Sequence, residues 1–329
     1  MRILVLGGTV FLSRAVAEAA VARGHDVTCA ARGVSGSVPD GTTLVRWDRS
    51  TAVPPELAGA QFDAVVDVSR IPSHVRRAVT AFPDAHWTFV STINVYADTA
   101  TPGGTPATLP LLDPIETDAD PSSGPEAYGA MKVACESLVR SGASAALVIR
   151  PGLIVGPGDP SGRFTYWPAR FAEAAADGLP VLVPEPVDAP VQLVDVRDLA
   201  DWVVRSAEQG TTGDFDAVCP PVPRSELLAQ VAEGADAAPD LVAVAPEVLA
   251  EHEVVPWSGP RSIPFWAADL ADSGFMAHDV TSSQAAGLKI RPFAETARDT
   301  LTWLRTTPDA KVTGLTRDEE QQLLASLRP

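Results

Sequence analysis

The opening of the chain restricts the fold more than any other stretch. Arg2–Leu6 is a short apolar run, Gly7-Gly8-Thr9 follows it, and apolar residues then recur at helical spacing over 11–23. His25–Ala31 supplies a second apolar run. A strand, a helix and a second strand joined this closely form a right-handed crossover. The opening therefore predicts two parallel strands with a glycine turn between the first strand and its helix.

Strand and helix signals keep alternating to about residue 150, which predicts an α/β fold with a doubly wound parallel sheet. The predicted strands are 2–6, 26–31, 43–47, 63–68, 86–91 and 145–150. Later helices are predicted near 163–177, 197–208, 224–233 and 294–305, and a short amphipathic helix around 318–327 is typical of a packing or dimer element. The stretch 98–125 is rich in Pro, Thr, Gly and Asp, so we expect a long loop over the site, with a lid as one expected role.

The glycine turn is a candidate dinucleotide site. Backbone amides at the start of a helix approach a pyrophosphate when glycines leave room for it. Counted from Gly7, however, the second and third glycine positions of the usual pattern hold Val10 and Ser13. Because a residue branched at Cβ does not readily take a positive φ, Val10 predicts a turn that follows another path and binds the cofactor more weakly.

Tyr128 and Lys132 are the candidate catalytic pair. Their spacing of four residues places them on one face of a helix. A neighbouring cation favours the phenolate of a tyrosine, and such a pair can pass a proton to or from a substrate oxygen near neutral pH. The pattern indicates acid/base chemistry on an alcohol or a ketone.

Five motifs occur in the order seen in one enzyme family. They are Gly7–Leu12, Trp87–Tyr96, the Tyr128/Lys132 pair, Arg150–Gly158 and Asp195–Ala200. With these motifs the chain resembles the extended, atypical short-chain dehydrogenase/reductases, in the branch called NAD-dependent epimerase/dehydratase-like. The resemblance implies a Rossmann-type nucleotide domain over 1–160, to which segments near 185–220 return. It implies a smaller substrate lobe and a helical tail over 161–329.

The resemblance also implies the catalytic roles. Thr92 would hold the substrate oxygen, Tyr128 would move the proton, and Lys132 would hold the nicotinamide ribose and lower the pKa of Tyr128. Family dehydratases carry an acidic pair directly after this threonine, whereas this chain has Ile93 and Asn94, which disfavours a dehydratase. The implied cofactor contacts are Gly7, Thr9, Val10, Phe11, Leu12, Arg32, Asp48, Asp67, Val68, Ser69, Ser91, Tyr128, Lys132, Pro151 and Gly152. The candidate substrate contacts are Ser91, Asn94, Arg163, Tyr166, Trp167, Gln192 and Trp257.

The end of the second predicted strand bears on the choice of cofactor. An acid there accepts hydrogen bonds from the ribose of NAD, whereas a nearby arginine suits the 2′-phosphate of NADP. Here the acid's place holds Ala31, and Arg32 follows. We therefore expect NADP to be preferred over NAD. Asp48 matches the family position that contacts the adenine amino group.

The substrate is a small molecule that the sequence does not name. Sugar-nucleotide epimerases of the family carry a diphosphate-binding arginine seven residues before the aspartate of Asp198-Leu199-Ala200, and that position is Val191 here. Arg163, Arg261 and Arg291 are candidate replacements, and the aromatics Trp257, Phe265 and Trp266 suggest a partly apolar lobe.

The bulk properties are typical of a cytoplasmic enzyme. A net charge of -17 and a pI near 4.6 argue against binding to nucleic acid or to an anionic membrane. No apolar run approaches the ~20 residues needed to cross a bilayer. The three cysteines, Cys29, Cys135 and Cys219, lack metal-ligand spacing, so we expect reduced, buried thiols and no metal. A homodimer is one expected assembly, and the Ala-, Val- and Pro-rich composition suggests a bacterial source.

Three functions remain open at this point. The first is an NAD(P)-dependent oxidoreductase that interconverts a secondary alcohol and a ketone on a sugar, a nucleoside or another cyclic metabolite. The second is a sugar-nucleotide epimerase that holds NAD tightly through its cycle. The third is a protein that binds nucleotide without catalysis.

Overall fold

The structure is a computed structural model that describes residues 1–120, 124–267 and 274–327. The strands are β1 (Arg2–Leu6), β2 (Asp26–Ala31), β3 (Thr42–Arg46), β4 (Ala64–Asp67), β5 (His86–Val90), β6 (Ala145–Pro151), β7 (Leu153–Val155), β8 (Val181–Pro184), β9 (Pro190–Val191), β10 (Leu193–Asp195), β11 (Gly213–Ala217), β12 (Val222–Pro223), β13 (Leu241–Val244), β14 (Val255–Pro256) and β15 (Ser262–Ile263). The helices are α1 (Phe11–Ala22), α2 (Pro72–Ala81), α3 (Pro125–Gly142), α4 (Arg163–Asp177), α5 (Val196–Gln209), α6 (Arg224–Gly234), α7 (Pro246–Glu251), α8 (Thr281–Ala285), α9 (Phe293–Thr306) and α10 (Arg317–Ser326), and Ile93–Val95 forms a short 3₁₀ turn.

A seven-stranded parallel sheet organises the amino-terminal part of the protein. Its strand order is β11-β6-β5-β4-β1-β2-β3. Helices α1 and α5 pack together on one face, and α2 and α3 pack together on the other. This is the doubly wound, Rossmann-type fold that the sequence predicts. All six predicted strands are confirmed to within one residue at each end, and β11, from beyond residue 185, joins the sheet at its edge beside β6.

The register of the sheet brings the candidate cofactor residues to one edge. Leu6 at the end of β1 pairs with Ala30 in β2 and with Asp67 in β4. Because the strands are parallel, the loops that follow β1, β2 and β4 leave the sheet on the same side. Ligands of open α/β sheets bind at this carboxyl edge.

The glycine turn accommodates Val10 and Ser13 without the missing glycines. Val10 lies at the start of α1 with an extended φ of -136°, and the positive φ angles of the turn fall on Gly7, Gly8 and Phe11, the last at 39°. A Cβ atom on Gly7 would lie 3.0 Å from the hydroxyl oxygen of Ser13, so the absence of a side chain at Gly7 lets α1 approach β1 closely. As expected from the branched side chain of Val10, the turn follows a path that keeps this residue out of the left-handed region.

The stretch 98–120 is a loop without helix or strand, and it is tied to a segment near the carboxyl end of the chain. The amide of Gly103 donates to the carbonyl of Ala277 at 2.7 Å, and the amide of Gly274 donates to Thr99 at 2.9 Å. The amide of Asp279 donates to the carbonyl of Gly104 at 3.0 Å. These bonds hold the loop against the segment 274–279. The part of the predicted loop at 121–123 lies outside the described residues.

A second core fills the carboxyl-terminal lobe. It is formed by α4, α6 and α9 together with β8 and β13. The helix predicted near the end of the chain is α10, whose Leu323 and Leu324 are buried in this core. Its Glu320 is buried as well and pairs with Arg170 of α4 at 2.5 Å. In this structure α10 is therefore a packing element.

A buried ionic network joins α3 to the edge of the large sheet. The guanidinium of Arg150 donates to both carboxylate oxygens of Glu136, at 2.9 and 2.7 Å, and to the hydroxyl of Tyr96 at 3.0 Å. Tyr96 donates in turn to Asp216 at 2.6 Å. Glu136 and Asp216 are fully buried. Each charge is thus compensated by direct hydrogen bonds, as a buried charge requires.

The three cysteines are free and buried, as predicted. No helix among the described residues is long and apolar enough to cross a membrane.

Candidate functional site

Three neighbouring cavities lie at the carboxyl edge of the sheet. We call them the cofactor cleft (about 760 Å³), the inner cavity (about 330 Å³) and the substrate cavity (about 890 Å³). The cofactor cleft is bounded by the Gly7 turn and the ends of β2, β3 and β4. The inner cavity lies against Ser91, Lys132 and Pro151, and the substrate cavity opens towards the carboxyl-terminal lobe. Tyr128 lines all three.

Nearly all the residues predicted to contact the cofactor line the first two cavities. Gly7, Thr9, Val10, Arg32, Asp48, Asp67, Val68, Ser69 and Tyr128 border the cofactor cleft, and Leu12, Ser91, Lys132, Pro151 and Gly152 border the inner cavity. Phe11 is the exception, because its ring packs into the core around α1 and α5 and lines neither cavity. The sequence pattern predicted the position of Phe11 at the turn correctly, but it did not predict the direction of its side chain.

The two acidic residues of the cofactor cleft have different surroundings. Asp48 is exposed and accepts hydrogen bonds from the amide and the hydroxyl of Ser50, which lower the pKa of its carboxyl. Asp67 is fully buried; its carboxylate is held by Arg49 at 2.8 and 3.0 Å and by the amide of Ser69 at 2.8 Å. Asp48 has the accessibility that a ligand contact needs. Asp67 mainly fixes the loop after β4.

Thr92 and Tyr128 meet as the sequence predicts. Thr92 lies two residues after the end of β5, and it lines the inner cavity and the substrate cavity together with Tyr128. The Thr92 hydroxyl also donates to the side-chain oxygen of Asn94 at 2.9 Å and accepts from the Asn94 amide at 3.2 Å. Gly129 permits this arrangement, because any side chain there would overlap the carbonyl oxygen of Asn94.

Lys132 is almost fully buried and its ammonium group is already occupied. It donates to three backbone carbonyls, those of Val68 at 3.3 Å, Ser69 at 2.8 Å and Val90 at 2.6 Å. Burial lowers the pKa of Lys132 to about 8. In this structure the lysine therefore ties α3 to the loops after β4 and β5.

The expected electrostatic effect of Lys132 on Tyr128 is not observed. Burial raises the pKa of the Tyr128 phenol, and the nearby charge of Arg70 opposes burial without outweighing it. The sequence predicted the opposite direction with Lys132 as its source, because it showed four-residue spacing but not the three carbonyls that hold the ammonium group. At neutral pH the phenol carries its proton.

Asn94, Arg163 and Trp257 line the substrate cavity, as predicted. Trp257 is held there with a φ of 68°, unusual for a bulky side chain, and its ring meets Phe275 edge-on at 5.7 Å between centroids. Arg163 has no carboxylate within 4.0 Å among the described residues, and burial lowers the pKa of its guanidinium.

The other predicted substrate contacts lie elsewhere. Tyr166 and Trp167 are fully buried in the lobe core, because the inward face of α4 carries them away from the cavity. Gln192 is buried too, and its amide bridges Cys219 and His278 by hydrogen bonds to their backbones. Phe265 and Trp266 likewise belong to the core. Ser91 borders the inner cavity and not the substrate cavity.

Two of the three candidate arginines lie away from the substrate cavity. Arg261 pairs with Glu319 at 3.0 Å, and Arg291 pairs with Asp198 at 2.8 Å. Val191 is buried in the core. Of the three arginines considered from the sequence, Arg163 alone faces the substrate cavity.

Sequence reasoning missed several residues of the site. Arg70, Leu112, Glu126 and Phe275 line the substrate cavity, and Arg70 lines the cofactor cleft as well. Arg70 was the one with a usable signal, because it follows the fourth predicted strand at the edge where ligands bind. Phe275 is brought in by tertiary folding alone. No group of His, Cys, Asp and Glu with metal-binding geometry occurs in the described part of the chain.

A nucleotide cleft that meets a substrate cavity at a Tyr-x-x-x-Lys helix defines the class of short-chain dehydrogenase/reductase enzymes. More specifically, the chain belongs to the NAD-dependent epimerase/dehydratase family, whose model matches residues 3–217. No curated protein sequence matches the chain.

Solved structures resemble this fold along nearly the whole chain. A putative epimerase from Burkholderia cenocepacia has a TM-score of 0.64 at 18% identity, covering 93% of this chain and 98% of that one. UDP-N-acetylglucosamine 4-epimerase from Bacillus cereus has a TM-score of 0.62 at 17% identity, covering 93% and 99%. The NAD complex of UDP-glucose 4-epimerase from Thermus thermophilus has a TM-score of 0.58 at 20% identity, covering 93% and 99%. At these identities the likeness concerns the fold.

Proposed function

We propose that this enzyme catalyses hydride transfer between a nicotinamide cofactor and the carbon of a secondary alcohol or ketone. The substrate is a small cyclic metabolite such as a sugar or a nucleoside. The position of Tyr128 carries the proposal, since its side chain borders the cofactor cleft, the inner cavity and the substrate cavity together. A phenol at that junction can reach the oxygen of a substrate whose carbon faces the inner cavity.

The residues around the phenol have distinct tasks in this proposal. A bound nicotinamide supplies or accepts the hydride. In the reducing direction Tyr128 gives its proton to the ketone oxygen while the hydride forms the new C–H bond. Thr92 lines the same cavities as the phenol, and its hydroxyl can turn from Asn94 to donate a hydrogen bond to the substrate oxygen. The raised pKa of Tyr128 keeps the phenol protonated at neutral pH and so favours reduction.

The cofactor that we propose is NADP(H). Arg32 is exposed at the rim of the cofactor cleft, directly after the end of β2, where Ala31 offers no carboxylate. The guanidinium of Arg46 in β3 lies close to Gly33, at 3.6 Å from the place of a Cβ atom there, and adds positive charge beside Arg32. Two arginines at this rim favour a 2′-phosphate over a free ribose hydroxyl. Several similar structures were solved with NAD, which makes NAD the alternative.

The same substitution, tyrosine to phenylalanine, at two positions tests the proposed role of Tyr128 as the proton donor. NADPH or NADH is mixed with a panel of cyclic ketones, and the absorbance of the reduced cofactor is followed. Tyr128→Phe should lower kcat by about 10²–10⁴-fold, the usual contribution of a general acid. Tyr166→Phe is the matched control, because the hydroxyl of Tyr166 is buried without a hydrogen-bond partner among the described residues. Turnover by Tyr128→Phe within threefold of the wild type would contradict the proposal.

A sugar-nucleotide 4-epimerase is the second candidate, because several similar structures have that activity in their names. In such a cycle the hydride returns to the same substrate, so no cofactor is consumed. NAD retained through purification and interconversion without added cofactor would favour this candidate. Stoichiometric consumption of added NADPH would favour the oxidoreductase.

A further inference from the structure

Arg70 has no task in the chemistry above, although it occupies a central position. It lies in the loop between β4 and α2 and lines both the cofactor cleft and the substrate cavity. Its guanidinium makes no ion pair and no hydrogen bond with any other residue that the structure describes. Arg49, which lines the same cleft, is by contrast paired with Asp67 at 2.8 Å.

The backbone that carries Arg70 is firmly held. The amide of Ser69 donates to Asp67 at 2.8 Å, and the amide of Ile71 donates to the hydroxyl of Ser69 at 3.2 Å. Lys132 donates to the carbonyls of Val68 and Ser69, which ties the loop to the helix that carries Tyr128. An unpaired guanidinium therefore extends from a fixed point beside the catalytic phenol. The side chain is exposed, so a ligand in either cavity can reach it, and the fixed backbone limits the positions from which it binds.

The substrate cavity is positively charged around this point. Its described lining carries two cations, Arg70 and Arg163, and one carboxylate, Glu126. The remaining lining is mostly apolar or aromatic, including Ile93, Leu112 and Trp257. An anionic group on the substrate would complement this cavity better than a neutral one.

We propose that Arg70 binds a carboxylate of the substrate, carried on a carbon next to the one that reacts at Tyr128. This inference rests on the proposed function. A guanidinium forms two parallel hydrogen bonds with a carboxylate, and this fork fixes the orientation of the substrate as well as its charge. Because Arg70 borders the same junction as Tyr128, the carboxylate and the reacting carbon come from adjacent positions of one molecule. The preferred substrate class is thus a cyclic hydroxy acid or the corresponding keto acid.

The test compares two probes of nearly equal shape, one anionic and one neutral. Binding of 2-hydroxycyclohexanecarboxylate and of its carboxamide is measured by calorimetry on the full chain saturated with NADPH, with which these alcohols cannot react. Wild type should bind the carboxylate at least tenfold more tightly. Arg70→Gln should reduce that preference by about 10- to 100-fold, the range of a lost hydrogen bond to a charged group. Arg76→Gln is the control, because Arg76 is exposed on α2 and lines none of the three cavities.

Two outcomes would overturn the inference. One is a wild type that binds the carboxylate no more tightly than the carboxamide. The other is an Arg70→Gln variant that keeps the preference but binds NADPH more weakly, which would assign Arg70 to the cofactor pyrophosphate. Because binding is measured without turnover, failure of the hydride-transfer proposal is distinguishable: Tyr128→Phe would then turn over ketones normally while the carboxylate preference persists.

Discussion

Replacing Glu136 with glutamine should lower the free energy of unfolding by about 3–5 kcal/mol, the cost of breaking a buried ion pair by removing one partner. Glu136 is fully buried and Arg150 is 1% exposed. The substitution gives the guanidinium of Arg150 a neutral amide in place of the carboxylate that it contacts at 2.9 and 2.7 Å, and the half-exposed Asp214, at 3.6 Å, is the carboxylate that remains near it. The same guanidinium holds the hydroxyl of Tyr96, so the wall of the substrate cavity is affected as well.

Arg140 provides the matched control. Its guanidinium contacts the same carboxylate at 2.8 Å, but its side chain is 34% exposed. Because water solvates the charges of an exposed ion pair when the pair is broken, Arg140→Gln should lower the free energy of unfolding by no more than about 1 kcal/mol. The double variant Glu136→Leu/Arg150→Met should lose less than either single change, since no buried charge is left unpaired. Both expectations are measured by urea unfolding followed by circular dichroism.

The pH dependence gives an independent check. Burial alone would raise the pKa of Glu136, but hydrogen bonds from Arg150 outweigh it and lower the pKa below the usual 4.5. The stability that the carboxylate contributes is therefore complete above about pH 4.5 and is lost as the pH falls through the folded-state value. The difference between wild type and Glu136→Gln should shrink below pH 4.5. Equal losses for Glu136→Gln and Arg140→Gln at pH 7, or a difference that grows in acid, would refute the reasoning.

Three further predictions concern the site. Gly129→Ala should lower kcat by about 10²-fold, because its Cβ would overlap the carbonyl oxygen of Asn94 and displace Thr92 by on the order of 1 Å. Activity within threefold of wild type would show that the backbone around Asn94 moves without displacing Thr92. Arg32→Ala should weaken NADPH binding by about 1–3 kcal/mol and leave NADH nearly unchanged, as measured by fluorescence titration, whereas equal losses would exclude contact with the 2′-phosphate. Burial lowers the pKa of Lys132 to about 8, below the usual 10.5, so the folded state binds fewer protons between these values and stability should rise with pH across that window. In urea unfolding, the free energy of unfolding of wild type should rise relative to that of Lys132→Met from pH 8 to 10. If the two free energies change in parallel with pH, the pKa of Lys132 is not depressed.

Local patterns were sufficient for the architecture. The strands β1, β2, β3, β4, β5 and β6 were predicted to within one residue, because each is a short apolar run bounded by polar or glycine residues. Helix α4 was predicted near 163–177, which are its observed bounds, and in the structure Gly162 and Gly178, both in the left-handed region, flank it. Helical spacing then predicted that Tyr128 and Lys132 share one face of a helix, and the family resemblance predicted that Thr92 acts beside them.

The direction of individual side chains was not available from those patterns. Tyr166, Trp167 and Gln192 have residue types that suit a substrate site, yet they point into the lobe core, because only the packing of α4 and β9 against other elements decides which face is inward. The protonation of Tyr128 is a similar case. Its pKa depends on burial and on Arg70, which is 58 residues away in the sequence.

By itself, the sequence determined the doubly wound sheet and its carboxyl edge, since these follow from periodicity and glycine positions. The spacing of Tyr128 and Lys132 and the resemblance that adds Thr92 predicted the catalytic residues. The tertiary structure decided the environment of each group. It placed the carbonyls of Val68, Ser69 and Val90 around Lys132, and it brought Arg70 to the junction beside Tyr128. It also brought Phe275 opposite Trp257. Charge, burial and cavity shape depend on contacts between distant segments, and those contacts exist only after the chain has folded.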